Sequence, residues 1–72
     1  MKIYDNLGGN SGVVAFFIGP DYILVQFKTG NPYCYSYSSA GVEKVENMKR
    51  LALQGHGLHS YIMRYAKMDY ER

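Results

Sequence analysis

Apolar positions along this chain change their spacing once, near residue 40. Before that point they recur in short runs with a period of two. "VVAFFI", from Val13, is β-branched and aromatic and stops at "GPD", where Pro20 is preset for a corner. "YILVQFK" follows, with Ile23, Val25 and Phe27 on one side and Tyr22, Leu24, Gln26 and Lys28 on the other. A second turn, "TGNP", leads into "YCYSYS". Both connections are only a few residues long, so neighbouring strands run antiparallel. Pro32 has no N–H for a ladder, which suits the start of the third strand.

After Ser39 the period becomes helical. Val42, Val45, Met48, Leu51 and Ala52 share one side, while Glu43, Glu46, Asn47 and Arg50 take the other. This predicts a helix of about four turns, capped by Ser38 or Ser39, with Glu46 and Arg50 as an i,i+4 pair. "GHG" ends it, because Gly55 or Gly57 can adopt the left-handed conformation. Leu58, Tyr61, Ile62 and Tyr65 then mark a second, shorter helix with Arg64 and Lys67 off its apolar stripe. Neither helix can bury its stripe alone, and the sheet needs one face covered.

The expected fold is therefore α+β: a three-stranded antiparallel β-meander followed by two α-helices packed on one face. Val25, Phe27, Val45, Met48, Leu51 and Ile62 are its expected core. Residues 13–68 form the domain. Residues 1–12, with the turn-favouring "LGGNSG", read as a loose lead-in carrying at most a short edge strand at Lys2 to Tyr4, and residues 69–72 as a tail.

A chain of 72 residues makes one domain with a modest core. The single cysteine, Cys34, closes no intrachain disulfide, which points to a reducing, cytoplasmic setting. The apolar run Val13 to Ile18 is too short for a membrane span, and no signal-peptide pattern opens the chain. Eight Lys and Arg against six Asp and Glu give a net charge of +2, which permits contact with nucleic acid without demanding it. Eight tyrosines against three phenylalanines and no tryptophan favour surfaces where a ring packs while its hydroxyl stays wet.

The order of these pieces resembles the KTSC domain, a small module named for the C-terminus of some lysyl-tRNA synthetases. The resemblance spans Ser11 to Tyr65. It rests on an apolar strand after Ser11, "ILVQF" with Gly30 three residues after Phe27, the Tyr-x-Tyr of Tyr33 and Tyr35, and Gly55 followed seven residues later by Ile62. Arg64 lies near a position where the family carries a basic residue. Gly57, Leu58 and His59 stand where the family often has an aromatic pair and an asparagine, and no clear Val-Pro follows the third strand. The resemblance implies the fold and suggests RNA binding by analogy.

Candidate chemistry follows residue type. Tyr33, Tyr35 and Tyr37 could stack unpaired bases or pack beneath the helices, and Tyr37, nearest the strand end, is the one expected to stay open. Lys49, Arg50, Arg64 and Lys67 form the best basic cluster if the "GHG" turn brings the helices side by side. His56 and His59 are too few for a metal cage and read as a linker and a surface histidine. Cys34 lacks a cation to activate it, and "LGGNSG" lacks the setting of a phosphate loop.

No catalytic residue, metal or cofactor is expected. The sequence reads as a non-catalytic binding module whose partner is RNA or an RNA-associated protein, through Tyr37, Lys49, Arg50, Arg64 and Lys67. The alternative is a stand-alone protein-interaction factor or inhibitor of a host protein, of phage or mobile-element type. "YCYSY" at a sheet edge also invites a homodimer.

Overall fold

The computed structural model describes residues 1–9 and 11–71. Its architecture is α+β, with four antiparallel strands in the order β1 (Lys2–Ile3), β2 (Val13–Ile18), β3 (Tyr22–Phe27) and β4 (Tyr33–Ser36). Helix α1 (Tyr37–Ala40) leads to α2 (Val42–Gln54) and α3 (Leu58–Tyr61), which continues as a π-helical turn, Ile62–Ala66. The expected three-stranded meander is β2–β3–β4, and the amino-terminal segment adds a fourth strand.

That addition corrects the core as well as the strand count. Tyr4 is only 4% exposed and belongs to the main apolar cluster. An isolated tyrosine beside a glycine-rich stretch has no periodic partner that would announce this burial.

β2 carries an irregularity between Val13, which pairs with Phe27, and Ala15, which pairs with Gln26. Strict alternation from Val13 would turn Phe16 away from the core. The extra residue resets the phase, so that Phe16 is buried and Phe17 faces out. Val13, Phe16, Ile23, Val25 and Tyr35 then meet Val45, Met48, Ala52, Leu58, Ile62 and Ala66 in one cluster. Phe27 and Leu51, expected inside, are half-buried at its margin.

The helical half departs from the sequence expectation at three points. The long helix α2 starts at Gly41 with no side-chain cap, in place of the expected Ser38 or Ser39, and Ser36 instead caps the short α1: its Oγ accepts from the Ser39 N–H at 3.0 Å while its own N–H donates to Ser39 Oγ at 3.1 Å. This reciprocal box closes α1, and Gly41, at φ 93°, turns the chain into α2. Val42 thus falls at the first position of α2 and is 55% exposed. The third departure lies in the last helix, where Leu58, Ile62 and Ala66 are buried but Tyr65 is 52% exposed. A π turn has more residues per turn than an α turn, which keeps positions four apart on one face and swings the residue at three away.

Gly55 does end α2. Its left-handed backbone, φ 74°, lets its N–H donate to the carbonyls of Leu51 and Ala52 at 3.0 and 3.2 Å. It also lacks room for a side chain, since a Cβ would stand 2.6 Å from the Asp5 Cβ.

The opposite face of the sheet is uncovered. Ile3, Val14 and Phe17 are exposed there, beside half-buried Tyr22, Leu24 and Cys34. At the β4 edge, the Glu71 N–H donates to the Cys34 carbonyl at 2.6 Å, and Ser36 Oγ bonds the Glu71 carboxylate. The "YCYSY" edge expected to recruit a second copy is therefore accompanied by the chain's own residues 69–71. Among the described residues, no helix is long and apolar enough to cross a membrane.

Met48→Ala and Ile62→Ala, each emptying a fully buried site, should cost about 2 to 5 kcal/mol. Phe17→Ser on the open face should change stability by less than about 0.5 kcal/mol. Urea denaturation of the three variants measures the contrast, and equal losses would contradict the one-sided core.

Candidate nucleic-acid interface

The basic residues singled out by the sequence have different fates. Lys49 is drawn inward, its side chain only 12% exposed. Its ammonium donates to the carbonyls of Gly19 and Pro20 at 2.9 and 3.2 Å and pairs with Glu46 at 3.0 Å. Those carbonyls belong to the β2–β3 turn, where the ladder leaves them without strand partners, and a cation satisfies them.

Tyr37 joins the same group. Its hydroxyl donates to Glu46 Oε2 at 2.5 Å, and Lys49 Nζ stands 5.5 Å from its ring centre. The hydrogen bond from Tyr37, then that from Lys49, holds the Glu46 carboxyl below its usual range, and the same bond raises the Tyr37 phenol. Glu46 therefore pairs with Lys49 in place of Arg50, whose Nη2 reaches Asn47 Oδ1 at 3.4 Å. Tyr37 is half-buried at the start of α1, not at the open end of a strand.

Arg50 and Lys49 border a shallow depression with Ile18 and Leu53. Arg64 is exposed on the π turn, its guanidinium 6.0 Å from the Tyr65 ring centre. The basic positions thus do not form one patch: Lys49 serves the sheet turn, and Lys67 borders a separate depression described next.

That depression, about 210 Å³, is lined by Phe27, Thr29, Tyr33, Tyr35, His59, Met63 and Lys67. The strand register builds one wall. Tyr33 opposes Val25 and Tyr35 opposes Ile23, so both rings lie on the helix side of the sheet. Tyr35, at the centre, is buried, whereas Tyr33 at the margin is 40% exposed and is the open member of the stripe. Tyr33 meets Phe27 edge-on at 5.5 Å and Tyr70 at 4.7 Å. The π turn supplies the other wall with Met63, and exposed Lys67 follows it.

His59 closes the depression 5.8 Å from Phe27. It is half-buried and oriented: its Nδ1 accepts from the Gly12 N–H at 2.9 Å, so a neutral ring carries its proton on Nε2. Reading His59 as a surface residue missed this role, because Gly12 is 47 residues away in sequence.

Ile62 and Gly55 act beneath this site, Ile62 anchoring the last helix in the core and Gly55 setting the corner from which it departs. Cys34 lies on the opposite face, and burial, then the carboxylates of Glu71 and Asp21, push its thiol up. His56 and His59 find no metal-binding group, since among the described residues no three of His, Cys, Asp and Glu gather. Comparison with family models, with curated proteins and with solved structures finds no match.

Burial, followed by the charges of neighbouring groups, pushes the Tyr35 phenol up to about 12. In the unfolded chain a tyrosine ionises near about 10, so above that pH the unfolded state loses a proton that the folded state keeps. Stability contributed by neutral Tyr35 is full below pH 10 and falls as pH rises toward 12. Denaturation between about pH 9 and 12 should show this decline, and Tyr35→Phe should make it shallower, leaving the part that raised Tyr37 contributes. An identical decline in that variant would assign the effect elsewhere.

Proposed function

We propose that this chain is a KTSC-like, non-catalytic binding module that takes single-stranded RNA, with one unpaired base in the Tyr33–His59–Met63 depression. The observation that carries the reading is that aromatic and thioether surface, a rim cation and an open mouth coincide at one place. Every base has a π face, so stacking there is worth about 1 to 3 kcal/mol without demanding a sequence. Lys67 at the rim suits a neighbouring phosphate, and Arg64, which borders an adjoining depression with His59 and Met63, suits another. A cytoplasmic setting, in which Cys34 stays reduced, accords with this partner.

A second reading, a protein-interaction factor that caps or inhibits a host protein, is favoured by a different observation. The sheet face opposite the helices carries exposed Val14 and Phe17, the latter 46% exposed, and neither belongs to the core cluster. Exposed apolar surface of that kind marks protein contacts more often than nucleic-acid contacts.

Fluorescence anisotropy with a labelled oligouridylate at low salt separates the two. Tyr33→Ala should weaken binding by about 1 to 3 kcal/mol and leave the salt slope unchanged, because a ring contact releases no counterions. Arg64→Glu with Lys67→Glu should weaken binding and flatten the slope. Arg64 and Lys67 are exposed, so melting of the charge variant should stay near that of the native chain, whereas Tyr33→Ala loses its ring contacts with Phe27 and Tyr70 and is compared at a temperature well below its own melting point. Absence of RNA affinity at low ionic strength would overturn the reading, and copurification of one stoichiometric protein lost in Phe17→Ser would support the second.

A further inference from the structure

Beside the aromatic depression, and sharing His59 with it, lies a polar cup of about 150 Å³ lined by Tyr4, Asn6, Ser11, His56, His59 and Ser60, with Gly8 and Gly57. Its size falls below the roughly 300 to 1,000 Å³ of pockets for drug-sized ligands and suits a small group.

The hydrogen bonds around the cup share one direction. Asn6 Oδ1 accepts from the Ser11 N–H at 3.1 Å, Ser11 Oγ from the Val13 N–H at 3.0 Å, His59 Nδ1 from the Gly12 N–H at 2.9 Å, and the Tyr4 hydroxyl from the Leu58 N–H at 3.2 Å. A backbone N–H can only donate, so each bond fixes which end of the side chain is used. Four acceptors are spent on the backbone. The same side chains keep their donors free of these bonds: the Asn6 amide, the Ser11 and Tyr4 hydroxyl protons and the His59 Nε2–H. Ser60 adds a hydroxyl, and no carboxylate lines the cup.

Two further observations converge. Asn6 is the non-glycine residue with positive φ, 52°, among the described residues, a conformation asparagine tolerates at some cost. Gly12 permits its N–H to reach His59, since a Cβ there would stand 2.9 Å from the His59 Cε1. One residue of the rim thus holds a left-handed backbone and another has to lack a side chain for these bonds to form.

We infer that this cup receives the terminal phosphate of a nucleotide whose base occupies the adjoining aromatic depression, His59 standing between the two groups. The inference rests on the RNA reading above and narrows its ligand to a phosphorylated strand end. Hydrogen bonds from neutral donors to a charged acceptor are stronger than neutral pairs. The cup's small size fits a terminal group, which needs no path for the strand to continue.

The test compares one short oligouridylate carrying either a 5′-phosphate or a 5′-hydroxyl, and inorganic phosphate monitored through the amide resonances of Gly12 and Ser60. The phosphorylated strand should bind about tenfold tighter or more, and inorganic phosphate should shift those resonances saturably. Asn6→Asp keeps the acceptor for the Ser11 N–H and the tolerance for positive φ while replacing a donor by a negative charge. It should remove both effects with no loss of melting temperature, whereas the same charge change at exposed Ser38, Ser38→Asp, should preserve them. Equal affinity for the two strands, with RNA bound, overturns the cup and leaves the base reading standing. Phosphate binding at the cup without RNA binding supports the cup and overturns the base reading. Absence of both overturns both, and an effect of Ser38→Asp equal to that of Asn6→Asp overturns the cup by assigning the discrimination to bulk charge.

Discussion

The corner between α2 and α3 is held by the amino-terminal segment, and most of the fold follows from that attachment. At such a corner several backbone groups lose their helical partners and must find others. The Gly55 carbonyl receives the Leu7 N–H at 2.7 Å, the Leu58 N–H finds the Tyr4 hydroxyl, and His59 receives the Gly12 N–H. The last two of these bonds join residues 54 and 47 positions apart. They seat Tyr4 in the core, place β1 against β2, and aim α3 back under the sheet. Without them a four-residue helix and a two-residue strand would have little to define them.

The parts of this arrangement that were legible in the sequence are those in which one residue's role repeats in its neighbours. Ile23 and Val25, or Val45, Met48 and Ala52, announce a strand and a helix through spacing, and Gly55 announces a stop. Tyr4, Ser36 and the irregularity in β2 repeat nothing. Each acts through a single pairing that composition does not display, and the π turn differs from an α turn by one residue in its period. The same division applies to the site. Tyr33, Tyr35 and Lys67 stood out by type, but their convergence with His59 and Met63 depends on the corner. Lys49 also stood out, and nothing in "ENMKRL" indicates that a turn 29 residues away would need its ammonium.

Charge is thereby distributed more narrowly than a count suggests. Lys44 pairs with Asp69 at 2.7 Å, and Lys49 is divided among Glu46, Gly19 and Pro20. Both hold parts of the fold together, the first securing the segment after the π turn and the second securing the β2–β3 turn against α2. The more exposed of the two, Lys44 with Asp69, contributes little to stability by itself. The larger effect of both is to withdraw cations from the solvent, which leaves Arg50, Arg64 and Lys67 as exposed positive groups on the helical layer.

The C-terminal residues that accompany β4 also determine how this protein can be approached. A sheet can ordinarily grow sideways by accepting another strand, and that is how many small β-rich chains aggregate. Here one lateral boundary is a strand of two residues, and the other has its Cys34 carbonyl already engaged by Glu71. Growth by strand addition is thus disfavoured at both margins. What the chain presents most openly is then side chains on its faces, which are selective, more than backbone along its edges, which almost any extended peptide could meet.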